Sequence, residues 1–355
     1  MRNLRCVPAA AAALVLACAT AARAELPRYR VTGLAESPTV RMTYASSLNN
    51  RGEVLGNGYF GADRPSNLVY RNGRLEQVQA LSRAWLLDMN DRGDIAGSGF
   101  QDGSYPLLYR DGRLINLTAS LNGVVGGVAN AVNNQGHVVG WHTQDNVNLR
   151  KFYYDGHQVH TLSFEYGFID INDHDVMLNA GGFIYDHGRI EEIPGIGPLY
   201  GNARPVALNN SGQVVGYADV QGRYVPFLYS NGVITDLGSL GGFNGDARDI
   251  NDQGWVVGRS QFDANDWDAF LHADDALHNL EDLLAPRERG RWDFDTAVQV
   301  NERGQILVLG AYGRDIGYSV ALLSPVPEPR GGLLMLAGLL GALGAVAARR
   351  RRRCS

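Results

Sequence analysis

Six of the eight histidines, His137, His142, His157, His160, His174 and His187, fall within one short stretch of the chain. Imidazoles at spacings such as His157-x-x-His160 suit metal ligation, but in a chain of short strands and turns they diverge to different loops, and solvated histidines are the competing reading. A second cluster, Asp263-Ala264-Asn265-Asp266-Trp267-Asp268, sets oxygen ligands at alternating positions as calcium loops do, with Asp263, Asn265 and Asp268 as candidate ligands. It lacks the central Gly and terminal Glu of an EF-hand, so a solvated acidic loop stays open beside calcium. No Gly-x-Ser-x-Gly, Walker loop or His-Glu-x-x-His occurs. No catalytic residue is therefore nominated, and no cofactor is expected beyond the calcium candidate. The Trp and Tyr side chains are expected to pack between structural units, while those on loops have the ring faces that stack on sugars.

The elements that position these residues come from a repeat. An apolar residue, Asn, two variable residues, Gly and a short apolar strand recur at Leu48-Asn49-Asn50-Arg51-Gly52, Met89-Asn90-Asp91-Arg92-Gly93 and Val132-Asn133-Asn134-Gln135-Gly136. The pattern returns at Leu208-Asn209, Ile250-Asn251 and Val300-Asn301, and once more at Ile171-Asn172, where Asp175 replaces the Gly. The asparagines at 49, 90, 133, 172, 209, 251 and 301 are separated by 41, 43, 39, 37, 42 and 50 residues. A second submotif, an apolar pair with Tyr and a Gly turn, follows most of them, as in Leu68-Val69-Tyr70 with Gly73 and Phe227-Leu228-Tyr229 with Gly232. In the fourth copy it comes early, at Phe183-Ile184-Tyr185, which marks a small unit. Asn can bond backbone two residues on and Gly supplies positive φ, so the asparagines read as turn residues. A ligand-binding ring of asparagines is the alternative.

Four short strands repeated seven times predict an all-β fold, a seven-bladed β-propeller of four-stranded repeats over residues 25–325. The seventh copy stops before its fourth strand, and Arg28 to Leu34 resembles the missing one, so an N-terminal strand pairing with Tyr318 to Leu323 is expected to close the ring. The segments Ala207 to Gly216, Pro226-Phe227-Leu228-Tyr229 and Asp236 to Gly242 resemble the HAF repeat of bacterial extracellular proteins. That resemblance implies an exported repeat protein and no particular reaction.

The 355 residues are 45% hydrophobic and 19% charged, with 44 Gly, which argues for a folded, turn-rich chain. Residues 1–24 have the three parts of a secretory signal peptide: early arginines, an apolar run, and Ala22-Arg23-Ala24 before Glu25 as the cleavage site. Cys18 in a loose lipobox is a second possibility. At the other end, residues 331–348 are 18 uncharged residues followed by Arg349, Arg350, Arg351, Arg352 and Arg353. This reads as a transmembrane helix whose arginines stay cytoplasmic, leaving the body on the opposite side, rather than as a nucleic-acid-binding tail. Pro327, Glu328 and Pro329 stand just before it. Pro-Glu-Pro, apolar span and arginine cluster in that order, over residues 326–355, resemble the PEP-CTERM sorting signal of exopolysaccharide-producing Gram-negative bacteria. The resemblance implies cleavage by an exosortase, with signal peptidase acting at the other end.

All three cysteines lie in the two terminal segments, so a trimmed body has no disulfide or thiol chemistry. Trimming also removes nine arginines, which takes the formal net charge from −5 to −14. Such a body repels nucleic acid and anionic lipid and attracts cations. The expected protein is exported: anchored in the inner membrane with a periplasmic body, then moved to the cell surface or extracellular matrix. It is expected to act as a non-enzymatic binding or structural component of the envelope or exopolysaccharide matrix. The alternative is a secreted propeller enzyme acting on glycans, a hydrolase or lyase with carboxylates at the channel mouth.

Overall fold

Apolar pairs in the second strand of each repeat, such as Val54-Leu55, Val138-Val139 and Val256-Val257, are buried on both sides. Alternation sends one residue of each pair to the preceding unit and the next to the following one, as expected where both faces of a sheet are covered. The structure, a computed structural model, describes residues 26–61, 65–101, 103–195, 203–263, 266–313 and 316–326. The signal peptide with Ala22, Ala24 and Glu25, the sorting segment with Pro327, Glu328, Pro329 and Arg349 to Arg353, and Asn265 lie outside the described residues. No helix among the described residues is long and apolar enough to cross a membrane; the span 331–348 is not among them.

Seven antiparallel sheets follow one another along the chain. Blade one is β2 (Ala35–Ser37), β3 (Val40–Leu48), β4 (Val54–Phe60), β5 (Ser66–Arg71) and β6 (Arg74–Gln77), with β2 a short extra strand on β3. Blade two is β7 (Ala84–Met89), β8 (Ile95–Phe100), β9 (Ser104–Arg110) and β10 (Arg113–Asn116), and blade three is β11 (Gly126–Val132), β12 (Val138–Thr143), β13 (Arg150–Tyr154) and β14 (Val159–Leu162). Blade four, with strands of three or four residues, is β15 (Phe168–Ile171), β16 (Met177–Asn179), β17 (Phe183–Asp186) and β18 (Arg189–Glu192). Blade five is β19 (Arg204–Leu208), β20 (Val214–Val220), β21 (Arg223–Ser230) and β22 (Val233–Asp236). Blade six is β23 (Gly245–Ile250), β24 (Val256–Gln261), β25 (Trp267–Ala273) and β26 (Ala276–Asn279). Blade seven takes β27 (Trp292–Val300), β28 (Ile306–Tyr312) and β29 (Ile316–Val326) from the end of the chain and β1 (Arg28–Gly33) from its beginning. The molecule over Arg28–Val326 is thus a seven-bladed β-propeller, as the repeat predicts.

Closure matches the expected N-terminal strand, with pairing carried a little further along β29: Arg28 faces Val326, Val31 faces Leu323 and Gly33 faces Ala321. Tyr29 is fully buried in this seam, and its carbonyl accepts the Ala285 N–H at 2.8 Å. The apolar core lies between blades. Leu55 and Val69 of blade one pack with Leu86 and Ile95 of blade two, and Leu307 and Leu322 of blade seven pack with Leu48 and Val54 of blade one.

Each inner strand carries a register shift just before its asparagine, for example between Leu86 and Asp88 or Ala247 and Asp249. Bulges of this kind sharpen the twist that the first strand of a blade needs at the ring's centre. The same coiling explains a glycine in the second strand: a Cβ on Gly97 or Gly258 would collide with the carbonyl oxygen of Trp85 or Asp246.

Antiparallel order gives the ring two unlike faces. The Asn-x-x-Gly turns and the third-to-fourth-strand hairpins lie on one, here the turn face. Many of those hairpins are two-residue turns with both residues at positive φ, such as Asn72-Gly73 and Asn231-Gly232. Connections between second and third strands and between blades lie on the other, the loop face.

Candidate functional site

The seven asparagines sit at the turn-face end of the inner strands and are buried. Each Oδ1 clamps its own turn: that of Asn90 accepts the N–H groups of Arg92 at 3.0 Å and Asp94 at 2.9 Å. Each Nδ2 donates to the carbonyl of the corresponding asparagine in the next blade. The bonds run Asn49 to Asn90 at 3.1 Å, Asn90 to Asn133 at 2.8 Å, Asn133 to Asn172 at 2.9 Å and Asn172 to Asn209 at 3.0 Å. They continue Asn209 to Asn251 at 3.0 Å and Asn251 to Asn301 at 3.1 Å, and Asn301 returns to Asn49 at 2.9 Å. This is a closed belt around the channel.

A second belt lies one residue on. The N–H of Asn50 donates to Asp91, Asp91 to Asn134, Asn134 to Asp173 and Asp173 to Asn210. Asn210 donates to Asp252, Asp252 to Glu302, and Glu302 back to Asn50. The side chains alternate amide and carboxylate except where Asp252 meets Glu302. Burial, with the charge of Asp252 adding to it, pushes the Glu302 carboxyl up.

The belts and the adjoining ends of the inner strands line a cavity of about 330 Å³. Besides the belt carboxylates, three more carboxyls line it, two residues before alternate asparagines. Asp88 accepts the Val132 N–H of the next blade at 2.9 Å, Asp170 that of Leu208 at 2.8 Å, and Asp249 that of Val300 at 2.8 Å. Burial raises all three, Asp170 to about 7, while these N–H donors work against the shift. Their mutual repulsion adds to it, since Asp88 acts on Asp170 and both act on Asp249.

The histidines scatter. His137 Nδ1 lies 2.7 Å from Asp175 of blade four and 3.0 Å from the Tyr153 hydroxyl, and His160 Nε2 lies 2.7 Å from Asp155. His187 pairs with its neighbour Asp186, while His157 and His174 are exposed. His142 is only 2% exposed, and burial, helped by Arg150, lowers its pKa. Asp175, which stands where the other six repeats have Gly, holds φ at 58° and uses its carboxylate to reach back to Asn133 and His137. Of the calcium candidates, Asp268 accepts a bond from Asn279 at 2.9 Å and Asp263 accepts the Asp266 N–H at 3.2 Å. Among the described residues, no group of three or more His, Cys, Asp or Glu side chains is arranged to hold a metal ion.

The loop face is different in character. Phe60, Phe100 and Tyr312 end second strands and are exposed, and Trp85, Phe243 and Phe262 add exposed rings at 56%, 68% and 61%. Three arginines lie over rings there: Arg41 on Tyr59, Arg223 on Phe243, and Arg259 on Trp267 at 4.3 Å. Between blades six and seven a cleft of about 440 Å³ is lined by Arg259, Phe262, Asp266, Trp267, Asp268 and Asp293, with other residues behind them. Burial and the charges of Asp293 and Asp266 raise the Asp268 carboxyl. Sequence reasoning found Asp268 but missed Asp293, because they lie on different blades and share no motif.

No family model and no curated protein sequence matches the chain. In structure it is similar to a puromycin-hydrolyzing peptidase of Mycobacterium tuberculosis, with a TM-score of 0.53 and 13% identity over 87% of this chain. The chain spans 56% of that peptidase's length. It is also similar to Raptor of Chaetomium thermophilum, at a TM-score of 0.46 and 11% identity, covering 85% of this chain and 29% of that one. A chain of the mitotic checkpoint complex matches at 0.46 and 10%, over 85% of this chain and 96% of that one. At 13% identity the likeness to the peptidase is one of fold alone, and a fold hosts unrelated functions.

Proposed function

We propose that this is an exported, surface-sorted and non-enzymatic ring that binds or builds the cell envelope or exopolysaccharide matrix. The observation that carries the reading is the contrast between the two faces. Polar groups at the turn-face end of the inner strands are committed to bonds between blades, whereas the opposite face offers long connections, exposed rings and an open cleft. Variable loops on a rigid scaffold are where recognition is usually placed. Arg28 pairs with Val326 at the turn-face edge of blade seven, so the chain enters and leaves the ring away from the loop face.

The address comes from the terminal segments. Signal peptidase cuts after Ala24 and an exosortase acts near Pro327, Glu328 and Pro329, with Arg349 to Arg353 cytoplasmic until then. Intact mass of the surface or secreted form tests this: a chain beginning at Glu25 and lacking the apolar span is expected, and one retaining Met1 contradicts export. Co-sedimentation of that form with matrix from the producing cells tests the binding role. Retention in the supernatant contradicts it. A second reading, a propeller enzyme acting on glycans, draws on the carboxylates of the loop-face cleft and the raised Asp268. It predicts new reducing ends, or unsaturated ends from a lyase, in the same incubation.

A further inference from the structure

The cleft between blades six and seven takes its walls from two blades: β24 and β25 with Phe262 and Asp266 on one side, and β27 and β28 on the other. Two properties decide what fits it. The first is ring surface. Phe262 is 61% exposed, and Trp267 lies beneath the Arg259 guanidinium. Such surfaces accept the C–H face of a sugar and favour a nearby cation.

The second is charge. Asp266, Asp268, Asp293 and Asp295 line the cleft, and Arg259 is the one basic residue among the described lining. That arginine already gives its Nε to Asp246 at 2.7 Å. Beyond its burial, Asp268 feels the repulsion of Asp293, Asp266, Asp282 and Asp263, and the described lining sets four carboxylates against one guanidinium. An acidic polymer is repelled by such a lining. A calcium ion needs six to eight oxygens around one point, whereas these carboxylates are spread along a cavity of about 440 Å³. The matching ligand carries positive charge at intervals along a chain whose rings lie on aromatic side chains.

We infer that this cleft binds a glycan bearing free amino groups, held by carboxylates of blades six and seven and by the exposed rings beside them. The inference deepens the matrix-binding reading by naming the class of sugar.

The test titrates the exported chain with a glucosamine tetramer, an N-acetylglucosamine tetramer, spermidine and calcium chloride. The glucosamine tetramer is expected to bind at least about tenfold more tightly than its acetylated counterpart, a difference of about 1.4 kcal/mol, and to weaken as salt rises. The Asp266→Asn/Asp293→Asn variant should lose about tenfold in affinity. Both carboxylates are exposed, so its melting temperature should be unchanged. Phe262→Ser should weaken binding by about threefold. Equal affinity for the two tetramers, no binding of either, or affinity untouched by the double substitution overturns the proposal. Spermidine binding as tight as that of the glucosamine tetramer overturns the sugar assignment, and full displacement by low calcium overturns the organic cation altogether. If the double variant still co-sediments with matrix, the cleft proposal falls while the matrix reading stands.

Discussion

Asn90 shows how much one side chain does in this ring. It is buried, its Oδ1 takes two backbone N–H groups of its own turn, and its Nδ2 serves both Asp94 at 3.0 Å and the next blade's Asn133 carbonyl. Truncation leaves several buried groups unsatisfied, so Asn90→Ala should cost on the order of 3 kcal/mol in urea unfolding. Asn90→Asp keeps the acceptor but loses the donor and sets a second carboxylate beside Asp94. It should be comparably destabilised at neutral pH and partly recover in acid. An Asn90→Ala protein as stable as the wild type would mean that the belt is incidental. The channel carboxyls give a second prediction at this scale. Asp170 in the folded ring titrates at about 7, above its ordinary value. A group whose pKa is raised by folding contributes stability that is fully present below the ordinary carboxylate range and is lost as pH rises through about 7. The melting temperature should therefore fall between pH 5 and pH 8, and Asp170→Asn should flatten that slope. An unchanged slope in the variant would show that the carboxyl titrates normally.

At the scale of elements, the seam between β1 and β29 decides whether the ring has an open edge. Tyr29 is its buried anchor, and Tyr29→Ala should cost about 3–5 kcal/mol. Deleting residues 25–36 should lower the melting temperature of the whole ring rather than loosen one blade; a deletion that melts like the wild type would place closure elsewhere. The elements were legible because their causes are local. An Asn with a Gly three residues on makes a turn whatever surrounds it, and the missing fourth strand of blade seven could be matched to Arg28 to Leu34. The belts were not legible, since the Nδ2 of each asparagine finds its partner 37 to 50 residues away, or 252 where Asn301 closes on Asn49, a relation visible only once the blades stand side by side. The short extra strand β2 left no pattern in the sequence, nor did the cleft that brings Asp268 near Asp293. Asp175 reads as a lost Gly. The structure shows a side chain that tolerates the left-handed backbone and uses its place to bridge blades three and four.

For the whole molecule, we propose that labour divides between the faces: one holds the ring together and the other meets a partner without transforming it. The most direct test incubates the purified protein with exopolysaccharide from the producing cells and follows bound protein, viscosity and reducing ends together. A variant with Trp85→Ala, Phe243→Ala and Phe262→Ala on the loop face is run beside it. The expected result is binding that this variant weakens by about tenfold, with viscosity and reducing ends constant throughout. A fall in viscosity or a rise in reducing ends with the wild-type protein would contradict it and make the ring an enzyme, and binding indifferent to the loop-face substitutions would contradict the division of faces.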